Sequence, residues 1–159
     1  MHFFLWLQHT AFITWLSDSV VMATFIEVLH YFSLFLLVGS IVLVDLRIMG
    51  LAARKRNATE LAQDLFPVMW TGLALNFVSG FILFLGDAAA FYYNWVFHIK
   101  LTVILISVIF GIIVQANVKR WDRPTGIPIG AKLLAFISLA LWIGSIFASV
   151  EVPALTSVV

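Results

Sequence analysis

A chain of 159 residues that is 63% apolar and 11% charged, with a mean hydropathy of +1.09, carries more oily side chain than a water-soluble fold of this size can hide, because small domains leave much of their surface exposed. The formal net charge is +1 and there is no cysteine. This leaves no general attraction for nucleic acid and excludes disulfides, thiolate zinc sites, iron–sulfur clusters and thiol nucleophiles. Lipid must be the solvent, and so little sequence lies outside the apolar runs that residues 1–159 read as one transmembrane domain.

Residues 2–17 interleave Phe4, Trp6 and Trp15 with Gln8, His9 and Thr10, and lack the basic start and small-residue cleavage site of a signal peptide. They predict a short amphipathic helix lying in the membrane interface. The first span is placed at about residues 20–45, apolar except for Glu27, His30 and small hydroxyls. It ends at Asp45-Leu46-Arg47, before the cluster Arg54-Lys55-Arg56. Asn57 with Glu60 three residues on resembles a capping box opening a short helix over 58–66. Pro67 then stands at the start of a second span, 67–86, where a missing N–H does no harm.

Gly86-Asp87 and the aromatic patch Phe91-Tyr92-Tyr93-Asn94-Trp95 form the next turn and interface belt. A third span covers about 96–117, and a Pro- and Gly-rich loop leads to a fourth over 131–151. Short connections make sequential spans antiparallel, so the expected fold is an all-α, up-down four-helix bundle. Gly72, Ser79, Gly80, Gly111 and Gly144 suit close helix approach in lipid. Eight of the nine Lys and Arg residues flank the 1–2 and 3–4 loops, with only Lys100 on the other side. By the positive-inside rule those loops are cytoplasmic and both termini periplasmic, in a bacterial inner membrane.

Ionisable groups within a span cost at least ~2.5–3.5 kcal/mol each on insertion scales, so each needs a reason. Glu27 and His30 are three apart and share a helix face. His30 falls about 22 Å above the cytoplasmic end at ~1.5 Å per residue, in the outer half. Asp87, His98, Lys100 and Glu151 belong to the same outer layer, with Asn76 in mid-span 2. One reading is a haem b or transition-metal site, with His30 as ligand, His98 as second haem ligand and Glu27 as metal co-ligand or orienter, serving electron transfer or metal handling. A di-iron site is rejected for a monomer, since it needs two Glu-x-x-His motifs and only one is present.

The competing reading is a buried cluster of Glu27, His30 and Lys100 that holds the bundle together in a non-catalytic scaffold or accessory subunit. Its partners would be membrane lipid and either further copies of the chain or a larger membrane complex. A proton or solute path past Glu27 and His30, continued inward by Asn76, ranks last, because spans 3 and 4 offer few polar groups at mid-membrane. His2 and His9 read as interfacial. Asp45 with Arg47 reads as an interface anchor or ion pair, and Gln115 and Asn117 need no special role. No nucleophile–base pair, phosphate loop or paired carboxylates mark an enzyme.

Glu27-x-x-His30 followed by Gly39 and Asp45-Leu46-Arg47-x-x-Gly50 resembles a family of small bacterial four-span inner-membrane proteins classed as a domain of unknown function. Pro67 with Gly72, Ser79-Gly80-x-x-x-Phe84, Phe97-x-x-Lys100 and Ser138-x-x-x-Trp142 extend the likeness over nearly the whole chain. The resemblance implies the four-helix fold and the inner-membrane location and supplies no activity. It also implies arginine or another residue at position 98 in relatives, which favours His30 over His98 as a ligand. At the level of fold, membrane b-type cytochromes and copper-resistance membrane proteins are similar in carrying histidines in outer-half spans.

Overall fold

Thirty consecutive residues, Val20–Met49, form one α-helix, and its end shows why the run stops there. Gly50 adopts φ +80°, which glycine reaches without steric cost. Its N–H meets Arg47 O, and Leu51 N meets Leu46 O at 2.9 Å. That pair of bonds is a Schellman cap, so Gly50 three residues after Arg47 is a helix stop.

The computed structural model describes residues 10–123 and 125–156. In chain order the helices are α1 (Ala11–Asp18), α2 (Val20–Met49), α3 (Ala58–Gly86), α4 (Ala88–Tyr93), α5 (Trp95–Trp121) and α6 (Ile129–Thr156). No strand occurs among the described residues. Four of the helices, α2, α3, α5 and residues 129–147 of α6, are long and apolar enough to cross a membrane. Of the interfacial helix expected at 2–17, residues 2–9, including His2 and His9, lie outside the described residues.

Two expectations at the start of the second span are not met. The helix expected over 58–66 and the second span are one continuous helix running through Pro67. The proline N cannot serve the Gln63 carbonyl, a loss that membrane helices tolerate; one turn on, Thr71 Oγ1 donates to the Pro67 carbonyl at 2.9 Å. The capping box does not form either. Asn57 makes no side-chain cap bond, and its amide instead reaches Glu60 Oε1 at 3.4 Å. The start of α3 is capped from the other basic loop, where Asp122 Oδ2 accepts from Thr59 N at 2.9 Å. This bond ties the two basic loops together at one end of the bundle, hereafter the basic end.

α2 is the central element. It packs along α3 on one side and α6 on the other, α5 packs on α6, and α3 and α5 touch little. The apolar core fills the half nearer the basic end, with Leu37, Ile41, Val44 and Ile48 of α2 against Phe66 and Met69 of α3, Val114 of α5, and Ala135 and Trp142 of α6. Between α3 and α5 an open cleft of about 400 Å³ is lined by Phe66, Pro67, Trp70, Gln115 and Lys119. Outward-facing side chains are as oily as the core: Phe35 and Phe77 are each 73% exposed, an arrangement that suits lipid rather than water.

Small residues set the α2–α3 distance. A Cβ at Gly72 would lie 2.7 Å from Leu37 N and 3.0 Å from Ser33 O, so the backbones meet there. Gly111 has only ordinary contacts, and nothing lies within 4 Å of a Cβ built at Gly144. Gly144 is exposed, so the expectation of close packing at that position fails because the residue faces away from the neighbouring helices.

Candidate functional site

Toward the end opposite the basic loops, where α2 and α3 face each other, the apolar core gives way to a polar cluster. α2 contributes His30 and Ser33, one turn apart, and α3 contributes Asn76 and Ser79. Ser33 and Ser79 are fully buried and His30 is half-buried. His30 Nδ1 stands 3.0 Å from Ser79 Oγ. Asn76 Nδ2 lies 3.1 Å from the His30 carbonyl and 3.3 Å from Ser33 Oγ. Ser33 Oγ donates to His30 O at 2.8 Å.

Counting protons assigns the roles. The Ser79 hydroxyl has one hydrogen and places it on the Leu75 carbonyl, 2.7 Å away, so its oxygen is left to accept. The two hydrogens of the Asn76 amide go to His30 O and Ser33 Oγ. Asn76 Nδ2 also lies 3.4 Å from Nδ1, but no amide hydrogen remains for that contact. With the Ser79 hydrogen on the Leu75 carbonyl, His30 Nδ1 is the N–H donor to Ser79 and Nε2 carries the lone pair; with that hydrogen turned to Nδ1, the roles reverse. No hydrogen-bond partner for Nε2 occurs among the described residues. An imidazole fixed through Nδ1–H with a free Nε2 has the arrangement that metal-bound histidines show.

Gly80 completes the seat. A Cβ there would come within 2.9 Å of His30 Cε1, so the ring lies against bare backbone. Lys100 of α5 is half-buried and is the cation whose charge acts on His30.

The other predicted residues are not brought into this cluster. Glu27 is exposed one turn along α2, and the atom that orients His30 is Ser79 Oγ. His98 is exposed near the start of α5, with its Nε2 2.8 Å from the Tyr92 carbonyl and its ring against Tyr92 and Phe97. Asp87 is exposed at the junction of α3 and α4. Glu151 falls within α6, but its side chain lies outside the described residues. Among the described residues no three His, Asp or Glu side chains gather as a metal-holding group.

Sequence reasoning missed two groups. Gln115 accepts from Trp70 Nε1 at 2.9 Å and bridges the splayed α3–α5 edge; the need of a Trp N–H for a partner was the available signal. The larger miss is Asp45, which is neither an interface anchor nor an ion pair. It is 0% exposed, while Arg47 Nε donates to Arg56 O at 2.6 Å. The one ion pair among the described residues is Arg56–Asp64, 2.6 Å. Asp45 shares a face with Ile41 and Ile48, four before and three after, and both of these are fully buried. That spacing carried the signal.

The profile of a family of unknown function, DUF6644, matches residues 3–151. No curated protein and no solved structure matches the chain.

Proposed function

We propose, from the premise that the chain belongs to this family of unknown function and inherits no activity from it, that this four-span membrane protein binds haem b through Nε2 of His30 and serves electron transfer. What carries the reading is the 3.0 Å contact of His30 Nδ1 with Ser79, whose own hydrogen the Leu75 carbonyl is placed to take, an arrangement that would leave the Nε2 lone pair free. A closed zinc or copper site needs three or four protein ligands, whereas haem iron accepts a single imidazole from the chain. The donor set fits haem better. When bound, haem supplies a one-electron centre whose potential follows its axial ligand and burial.

His30 would hold the iron, Ser79 would keep the ring in its ligating tautomer, and Gly80 would leave the ring its seat. His98 would first have to release the Tyr92 carbonyl to join. A second axial ligand otherwise comes from another copy of the chain, in a homo-oligomer, or the position stays open. With the basic end in the cytoplasm, as the distribution of Lys and Arg favours, the site faces the periplasmic side of the inner membrane.

Oxidised and reduced optical spectra of the purified protein, with iron analysis, test this. A Soret band that shifts on reduction and disappears in His30→Ala, with helix content retained, is the expected result. A colourless, metal-free preparation from cells with ample haem overturns it.

A second reading, a non-catalytic scaffold or accessory subunit, is favoured by the same cluster, because its other polar groups are spent on α2–α3 contacts. It predicts a symmetric oligomer or larger complex, and a His30→Ala protein that melts earlier and loses no pigment. A monodisperse monomer that assembles with nothing counts against it.

A further inference from the structure

Among the described residues, the buried side-chain atoms without a hydrogen-bond partner are both carboxyl oxygens of Asp45, Ser138 Oγ and Trp142 Nε1. All lie on the two helices that pack as the α2–α6 seam, and the three residues are 0%, 0% and 1% exposed. Ser138 and Trp142 are four apart, hence on one face of α6. Ser138 is the polar side chain that acts on Asp45, although no hydrogen bond of good geometry has formed between them. The other buried serines behave differently: Ser33, Ser40, Ser79, Ser107 and Ser145 each donate to a carbonyl of their own helix.

No charge relieves Asp45. On its own helix, Arg47 is engaged with the Arg56 carbonyl. On α6, Lys132 is exposed. On α3, Glu60 and Asp64 are exposed, and Asp64 is paired with Arg56. On α5, Lys119 and Arg120 are exposed, and just beyond it Asp122 accepts from Thr59 N. Burial and Ser138 are the influences on the Asp45 carboxyl. A bare carboxylate is untenable there.

A metal cation does not fit the seam. Hard cations take six or more oxygens, and the seam offers two carboxyl oxygens and one hydroxyl, beside an indole N–H that can only donate. A proton fits. It makes one carboxyl oxygen a donor, which suits a Ser138 hydroxyl that can accept.

We propose that Asp45 is a proton-binding site, its carboxyl held as the acid in the α2–α6 seam one helical turn from the basic end. The proton comes from water at that end and converts the carboxylate to the carboxylic acid, with no other bond changed. Releasing it puts an unpaired charge between α2 and α6, so occupancy of the site governs how tightly α6 holds α2. Asp45 lies fifteen residues from His30, ~22 Å along the helix at ~1.5 Å per residue. The hydroxyls of Ser33 and Ser40 between them point to backbone carbonyls, so the exchange is local to the basic end and independent of any haem at His30.

Infrared spectroscopy of the full-length protein in lipid at neutral pH tests the site. A carboxylic-acid C=O band that moves in D2O, changes frequency in Asp45→Glu and disappears in Asp45→Asn is expected. Should both variants fail to fold, isotope labelling of aspartate carboxyls in the unaltered chain still assigns the band to Asp by its shift. Carboxylate bands alone at neutral pH, a band that survives in Asp45→Asn, a band that aspartate labelling leaves unshifted, or one that vanishes on adding Na⁺ or K⁺ overturns the proposal.

Discussion

The His30 cluster and the Asp45 seam lie on one helix and both bury polar side chains between membrane spans, yet they satisfy them in opposite ways. At His30, Ser79, Asn76 and Ser33 supply hydrogen bonds between α2 and α3, and Nε2 of the ring has no partner among the described residues. At Asp45 nothing matches: both of its carboxyl oxygens, Ser138 Oγ and Trp142 Nε1 lack a partner. The difference teaches where a ligand is needed. A hydrogen-bonded ring with a spare lone pair presents a coordination position, while an unsatisfied carboxyl needs something small enough to enter a packed seam. Buried polar groups are costly when unpaired, so the two sites call for different occupants.

Substitutions that break the comparison rank by how directly they touch backbone. The largest effect is expected from Gly72→Ala, whose Cβ would meet Leu37 N at 2.7 Å. Backbone cannot swing aside, so α2 and α3 must separate, at a cost of about 1–3 kcal/mol, read as an earlier thermal transition in detergent together with loss of ligand at His30. Ser79→Ala comes next. It removes the acceptor that fixes Nδ1–H, at about 1 kcal/mol of stability, and weakens haem or metal binding by roughly 10–100-fold, as loss of a ligand's supporting partner does. A haem titration that gives equal affinity for Ser79→Ala and the unaltered protein breaks that assignment.

Asn76→Ala is smaller, about 0.6 kcal/mol on the average for hydrogen bonds between membrane helices, and leaves Nε2 where it is. The smallest effect on melting is expected from Asp45→Asn. The amide has the shape of the neutral acid and adds no charge, so the melting curve stays where it was. A marked destabilisation would mean that the seam depends on a negative charge.

The parts of the fold set by chain-local physics were legible in advance. Apolar runs long enough to span and short basic loops each follow from residues close together in the chain. What crosses between helices was not. Asp122 caps α3 from 63 residues away, which no local pattern announces. Ser79 and Gly80 stood out as small residues, but that one accepts from His30 and the other seats its ring depends on the register of α3 against α2. Asp45 was misread because it follows an apolar run and precedes basic residues, as an interface anchor does. Its spacing from Ile41 and Ile48 places it on the buried face, and the face a residue occupies decides its burial more than distance from the helix end.

The central claim is that Nδ1 of His30 carries the ring proton and Nε2 a free lone pair. Nitrogen-15 NMR of histidine-labelled protein, with His30→Ala to assign the resonance, reads this directly. The account predicts the Nδ1–H tautomer in the ligand-free protein, with the Nε2 signal alone displaced strongly when haem is added. A ring found as the Nε2–H tautomer, or an Nε2 signal unmoved by haem, would contradict it.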